Sequence, residues 1–220
     1  MHKIPGLLSG LALLAVLPGC PDTTGYYADY QARYEIINPS SSSGAGGACS
    51  AGPPAVGEVD GPYLFVLATS LYPPTPIVFE ADMITSEGAD GFEFTMTLQP
   101  LASGPSGPND RVTPIGDPFS LEGPYPVAAD GSFTAELPLL NVPGPANPIS
   151  GNPIAAAVTL TGTFCAPGEF VCGVANGVTV EPPDIDIDGS TFTIERLDAP
   201  GPPYPEPPQI DCAGALAQPI

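Results

Sequence analysis

Three aspartates two residues apart, Asp184, Asp186 and Asp188, are followed by Gly189 and, after five more residues, by Glu195. The pattern D-x-D-x-D-G-x5-E is the spacing with which carboxylate oxygens wrap a hard cation, the glycine making the sharp bend, and calcium is the ion such donors select. The flanks argue against helices on either side. Pro182 and Pro183 block an entering helix, and Ala199-Pro200-Gly201-Pro202-Pro203 blocks a long exiting one. A β-hairpin turning at Asp188-Gly189 accounts for the same residues without metal, the aspartates forming its outward face. The hairpin is therefore the first expectation, and a calcium site on Asp184, Asp186, Asp188 and Glu195 the second.

Cysteine is the other residue type able to do chemistry. Setting Cys20 aside, Cys49, Cys165, Cys172 and Cys212 remain, an even number that in an exported chain implies disulfides. Cys165 and Cys172 flank a short loop, which predicts a local bridge and leaves Cys49 to pair with Cys212. Zinc is disfavoured, because the sequence has no C-x-x-C and no histidine beyond residue 2.

Catalytic readings lack their usual parts. The only lysine is Lys3 and the only histidine is His2, so the chain beyond its first residues has no imidazole base and no Schiff-base amine. It has no G-x-S-x-G elbow and no Gly-rich phosphate loop. A carboxylate pair for glycoside hydrolysis cannot be singled out among 24 acidic residues. The expectation is a protein that is not an enzyme and has no cofactor, calcium apart. A formal net charge of −20, with 4 Lys+Arg in the whole chain, argues against nucleic-acid partners. It argues equally against electrostatic docking on anionic lipid. The acidic surface also has a plain use, which is to keep the protein dispersed.

The elements that must position these residues are strands. Alternation of apolar and polar side chains is clean in Ile77–Thr85, Phe92–Gln99 and Ala156–Phe164, and weaker in Tyr63–Leu71, Ser132–Leu137, Val171–Val180 and Thr191–Leu197. Asp-Gly pairs at Asp90-Gly91, Asp130-Gly131 and Asp188-Gly189 supply the positive φ angles of tight hairpins. A two-residue turn at Asp90-Gly91 would set Met83 opposite Leu98. One at Asp188-Gly189 would set Ile187 opposite Ser190 and Ile185 opposite Phe192. The fold class expected is all-β: an antiparallel meander of about eight strands, closed as a barrel or packed as a sandwich.

The first twenty residues read MHKIPGLLSGLALLAVLPGC. Lys3 gives a positive start, Gly6–Val16 is an apolar run too short to span a bilayer, and Leu17-Pro18-Gly19-Cys20 follows. This segment resembles the lipobox of bacterial lipoproteins, with proline where a small or branched residue is usual. The resemblance implies lipidation at the Cys20 sulfur, with diacylglyceryl and palmitate-type chains, and cleavage between Gly19 and Cys20. It also implies an extracytoplasmic protein anchored to the cell membrane or outer membrane.

The expected organisation is a signal peptide over 1–19, a lipidated Cys20 with a Tyr-rich segment and Ser/Gly linker over 20–57, a β domain over 58–197 and a Pro-rich tail over 198–220. Some 20 linker residues would span about 25 Å root-mean-square. Three roles fit. The first is a lipid-anchored envelope protein whose non-catalytic β domain serves a structural or protein-interaction purpose. The second is a calycin-like barrel holding a small hydrophobic ligand, with Phe79, Met83, Phe92, Phe94 and Met96 as candidate lining. The third is a calcium-dependent interaction module.

Overall fold

The computed structural model describes residues 52–89 and 91–220. The segment expected to be a signal peptide, Cys20, the Tyr-rich stretch, most of the expected linker, Cys49 and Asp90 lie outside the described residues. Nine strands follow in order: β1 (Gly61–Ala68), β2 (Ile77–Glu87), β3 (Phe92–Pro100), β4 (Phe119–Ser120), β5 (Tyr125–Val127), β6 (Ser132–Val142), β7 (Ile154–Thr163), β8 (Phe170–Glu181) and β9 (Ser190–Arg196). A single 3-10 turn spans Gly144–Ala146, and no α-helix occurs among the described residues.

Each long strand pairs antiparallel with its sequence neighbours, β9 pairs with β1, and β5 joins β3 to β6. The result is an eight-stranded up-and-down barrel, closed, with the two-residue β4 appended to the outer flank of β3. Closure leaves no long unpaired edge. The expected all-β meander is thus present, and it is a barrel rather than a sandwich.

Period-two alternation decides which side chains face in. Inward rows run Tyr63-Phe65-Leu67 on β1, Ile77-Phe79-Ala81-Met83 on β2, Phe92-Phe94-Met96-Leu98 on β3 and Phe133-Ala135-Leu137 on β6, all within one core. A bulge between Leu137 and Leu140 shifts β6 by one residue, and Leu140 and Val142 then face in. Aromatic rings fill the barrel from its middle to one end. Phe94 lies edge-on to Phe133 at 5.2 Å and to Phe164 at 5.2 Å, and Phe65 reaches Phe79 at 5.7 Å and Phe192 at 6.1 Å. Room for Phe192 comes from two glycines. A Cβ on Gly162 or Gly173 would sit 2.8 Å from its ring, and one on Gly173 would also strike the Thr161 carbonyl at 2.1 Å.

Strand β1 is buried on both faces, which is why it reads as an unbroken apolar run. Its outward Leu64, Val66 and Ala68 form a second core with Val78, Leu101, Leu197, Ile210 and Ala217, against which Tyr204 packs. The C-terminal segment is therefore a strap on the outside of the barrel. Thr191 and Thr193 on β9 donate their hydroxyls to the carbonyls of Ile210 and Gln209 at 2.6 and 2.8 Å. Arg111, 5% exposed, pairs with Glu206 at 2.7 Å and donates to the Gln218 carbonyl at 2.8 Å.

The strap corrects the disulfide pairing. Cys172 bonds to Cys212, and Cys165 is disulfide-bonded as well, so neither a local Cys165–Cys172 bridge nor a Cys49–Cys212 bridge forms. The reason is strand polarity. Val171 faces the core, which turns Cys172 outward under the strap. Cys165 sits beyond the end of β7, in a turn closed by Gly168 N–H on the Cys165 carbonyl and tied to Gly52 through Ala166 N–H.

Two hairpin registers also differ from expectation. Strand β2 continues to Glu87, which pairs with Phe92, and Met83 opposes Met96 rather than Leu98. The connection is longer than a two-residue turn. Because the slip is two residues, every side chain keeps its face. At the other site Phe192 opposes Gly173 and Leu67, not Ile185. The chain reverses at Pro182–Asp184, where Thr179 N–H donates to the Ile185 carbonyl at 2.9 Å. The return then runs along β8, with Ile187 N–H on the Gly177 carbonyl and a bridge from Asp186 to Val178, before β9 starts at Ser190 opposite Ala175. Asp188-Gly189 makes a turn, with Gly189 at φ 77° and Ser190 N–H on the Ile187 carbonyl, but it is a kink in the returning strand.

Candidate functional site

The acidic motif does not build a cation site. Among the described residues no group of three or more His, Cys, Asp or Glu side chains is arranged to hold a metal ion. Asp186 accepts Asp188 N–H at 2.7 Å and Asp188 accepts Gly177 N–H at 2.8 Å, so both carboxylates clamp the kink to itself and to β8. Glu195 lies six residues beyond Gly189 along an extended chain, roughly 20 Å at 3.3 Å per residue. A calcium loop must curl its last ligand back to its first, and a strand cannot. Glu195 is half-buried on the outer face opposite Leu64, and burial raises its carboxyl above the ordinary range.

The end of the barrel not filled by rings holds an apolar cup of about 260 Å³. It lies where β1, β6 and β8 run out and β2 and β7 begin. Leu67, Ile77, Leu140, Ala156 and Val158 form its wall, and Ile185 and Ile187 of the returning strand close one side. The rim includes Leu71 and Ile149, which are 51% and 40% exposed. The lip is the segment through the 3-10 turn and Asn152. Asn147 organises it by donating to Ser150 Oγ at 2.9 Å and to the Asn152 carbonyl at 2.7 Å, and by accepting Ile149 N–H at 3.0 Å. Beneath it, Ser103 Oγ donates to the Ala146 carbonyl at 2.9 Å, and the Asn147 carbonyl lies so close to Gly104 that a Cβ there would meet it at 2.3 Å.

No charged side chain lines the cup. Its polar members are largely occupied: Thr179 donates to the Pro182 carbonyl and accepts Ile185 N–H at 3.0 Å, and Asn147 and Ser150 are bonded within the lip. Thr69 is different. It lies one residue past the end of β1, is 4% exposed, and its hydroxyl has no hydrogen-bond partner. Among the described residues the only other buried side-chain polar atom in that condition is Arg111 Nε.

The aromatic and methionine residues expected to line a cavity do not. Phe79, Met83, Phe92, Phe94 and Met96 are at most 3% exposed within the packed core, and none borders the cup. A signal for the true lining exists in the inner rows that lead from β1 and along β6, which pass from aromatic to aliphatic or small toward the cup. Examples are Tyr63-Phe65-Leu67-Thr69 and Phe133-Ala135-Leu137-Leu140-Val142. Rings occupy one end of such rows, and shorter side chains leave space at the other.

The remaining ionisable cluster plugs the ring-filled end. Arg196 donates to the carbonyls of Glu58 and Asp60 at 2.8 and 2.9 Å and to Tyr63 Oη at 3.0 Å. Burial raises the Tyr63 phenol despite the nearby guanidinium. Both terminal nitrogens of Arg196 are engaged, holding Glu58 and Asp60 against Tyr63, so this end is accounted for by structure. No protein-family profile, curated protein or solved structure matches the chain.

Proposed function

We propose that this chain is an exported, lipid-anchored barrel that binds a small apolar molecule in the cup. The observation that carries the reading is an open, uncharged cavity in a barrel that is otherwise packed with rings. Its volume falls a little short of the ~300–1,000 Å³ of drug-sized sites, which favours a compact ligand. Burying apolar ligand surface there gains about 25 cal/mol per Å². Export and anchoring are supported by the first twenty residues and by a disulfide-bonded fold, since such bonds persist outside the cytoplasm.

The test is a titration with toluene followed by methyl NMR on the full chain. Shifts confined to Leu67, Ile77, Leu140, Val158 and Ile187, and abolished by Ala156→Leu, are expected. Unshifted methyls at saturation would remove the reading. A purely structural role is supported by the ring-filled half of the barrel and predicts that silent titration, so one experiment separates the two. Anchoring is tested by palmitate labelling in a bacterial host, with Cys20→Ala as control; equal label in both chains refutes it.

A further inference from the structure

We infer that the ligand of the cup is a single-chain amphiphile, held by the end of an alkyl tail while a neutral or cationic head stays in water at the mouth. This deepens the reading above and rests on the cup being a binding site. The lining sets the tail. Among the described residues neither a charged nor an aromatic side chain borders the cup, although rings fill much of the barrel core. A ring ligand would find no aromatic partner there. An alkyl chain needs only the aliphatic contact that Leu67, Ile77, Leu140, Val158 and Ile187 provide. Some 260 Å³ takes about nine methylene-sized groups at ~30 Å³ each. Apolar surface continues at the mouth, where Leu71 and Ile149 stand exposed, so a longer chain runs on over them.

Charge sets the head. An ionised head taken inside would have no counter-ion among the lining residues. Beside the lining the charge is acidic. Glu181 precedes the lining residue Pro182, Asp184 precedes the lining residue Ile185, and both carboxylates are exposed. Arg111 and Arg196, the only basic residues beyond residue 51, are engaged elsewhere, the first with Glu206 and the Gln218 carbonyl and the second at the ring-filled end. An anionic head at the mouth is therefore repelled, and a neutral or cationic one is not.

The experiment titrates the full chain with alkan-1-ols from butanol to dodecanol, and with octyltrimethylammonium and octanoate at neutral pH, following the methyl signals of Leu67, Ile77 and Ile187. Affinity for the alcohols is expected to rise about fourfold per methylene up to about nine carbons, and less than about twofold per methylene beyond. Octyltrimethylammonium should bind within about fivefold of octan-1-ol. Octanoate should bind at least about threefold more weakly than octan-1-ol at low salt, and the gap should close as salt rises from about 20 to about 500 mM, because an exposed head is screened. Glu181→Gln with Asp184→Asn should close the same gap at low salt; asparagine suits the φ of 65° at position 184. If that variant does not fold, the salt series on the wild type carries the comparison. Alcohol affinity independent of chain length, octyltrimethylammonium more than about tenfold weaker than octan-1-ol, or octanoate equal to octan-1-ol at low salt overturns this inference, while toluene binding leaves the cup intact. Toluene failing to bind the wild type overturns the cup and this inference together.

Discussion

Replacing both Cys172 and Cys212 by alanine removes one covalent link between the barrel wall and its strap without leaving a lone thiol. The two residues are 40 positions apart. The chain-entropy relation for a loop of that length gives about 13 cal/mol/K, or about 4 kcal/mol at 25 °C, contributed by restricting the unfolded chain. For a body of this size each kcal/mol shifts the melting temperature by roughly 2–4 °C, so the double variant should melt about 8–16 °C lower. Freed from the link, the unfolded chain expands, so the urea m-value should rise as well. The folded state should keep its near-native spectrum. Ile210 and Ala217 stay in the outer core, and Arg111 still holds Glu206 and Gln218. Calorimetry and urea titration of the two proteins, with the Cys165 bond intact in both, give the numbers. A melting temperature within about 2 °C of wild type, with an unchanged m-value, would refute the entropic account of this bridge.

Three further substitutions test other parts of the fold. Gly173→Ala would bring a methyl group to 2.1 Å from the Thr161 carbonyl and 2.8 Å from the Phe192 ring. It should cost at least ~2 kcal/mol in urea unfolding, because neither a paired strand nor a packed ring can retreat. Glu195→Gln should stabilise the protein at pH 7 and leave it unchanged at pH 4. Burial raises this carboxyl above its ordinary 4.5, so the folded state holds the proton longer than the unfolded one, and stability falls as pH rises through that window. A variant whose pH profile parallels wild type would contradict the assignment. Thr69→Val in the ligand-free protein should raise the melting temperature by a few degrees, by removing an unpaired buried hydroxyl; a lower melting temperature in a scanning-calorimetry comparison would mean that the hydroxyl has a partner.

The inner and outer faces were legible because a half-buried strand writes its orientation into alternate residues. Ile77–Thr85 and Phe92–Gln99 fall within β2 and β3, and the weaker Tyr63–Leu71 stretch largely overlaps β1. The short β4 and β5 were not foreseen: two and three residues, one of them Pro126, carry no period to read. Asp188-Gly189 pointed to a hairpin because local turn chemistry is the same in a reversal and in a kink, and only the partner of Phe192 distinguishes them. Disulfide pairing escaped because it depends on the route of the strap, fixed by the outward faces of β1 and β9 and not by spacing along the chain. The cup escaped for a related reason. Alternation says that Phe94 and Leu67 both face inward, and it is silent on their depth along the barrel, which decides which of them meets a ring and which borders open space.

The scarcity of basic residues has a practical sequel. A protease that cuts after lysine or arginine finds only Arg111 and Arg196 beyond residue 51. The first is 5% exposed with its side chain engaged, and the second lies in a strand hydrogen-bonded on both sides. Trypsin resistance of the folded body then becomes a direct gauge of global opening, uncomplicated by nicking at surface loops. Amine-reactive dyes likewise find no lysine in that body to modify.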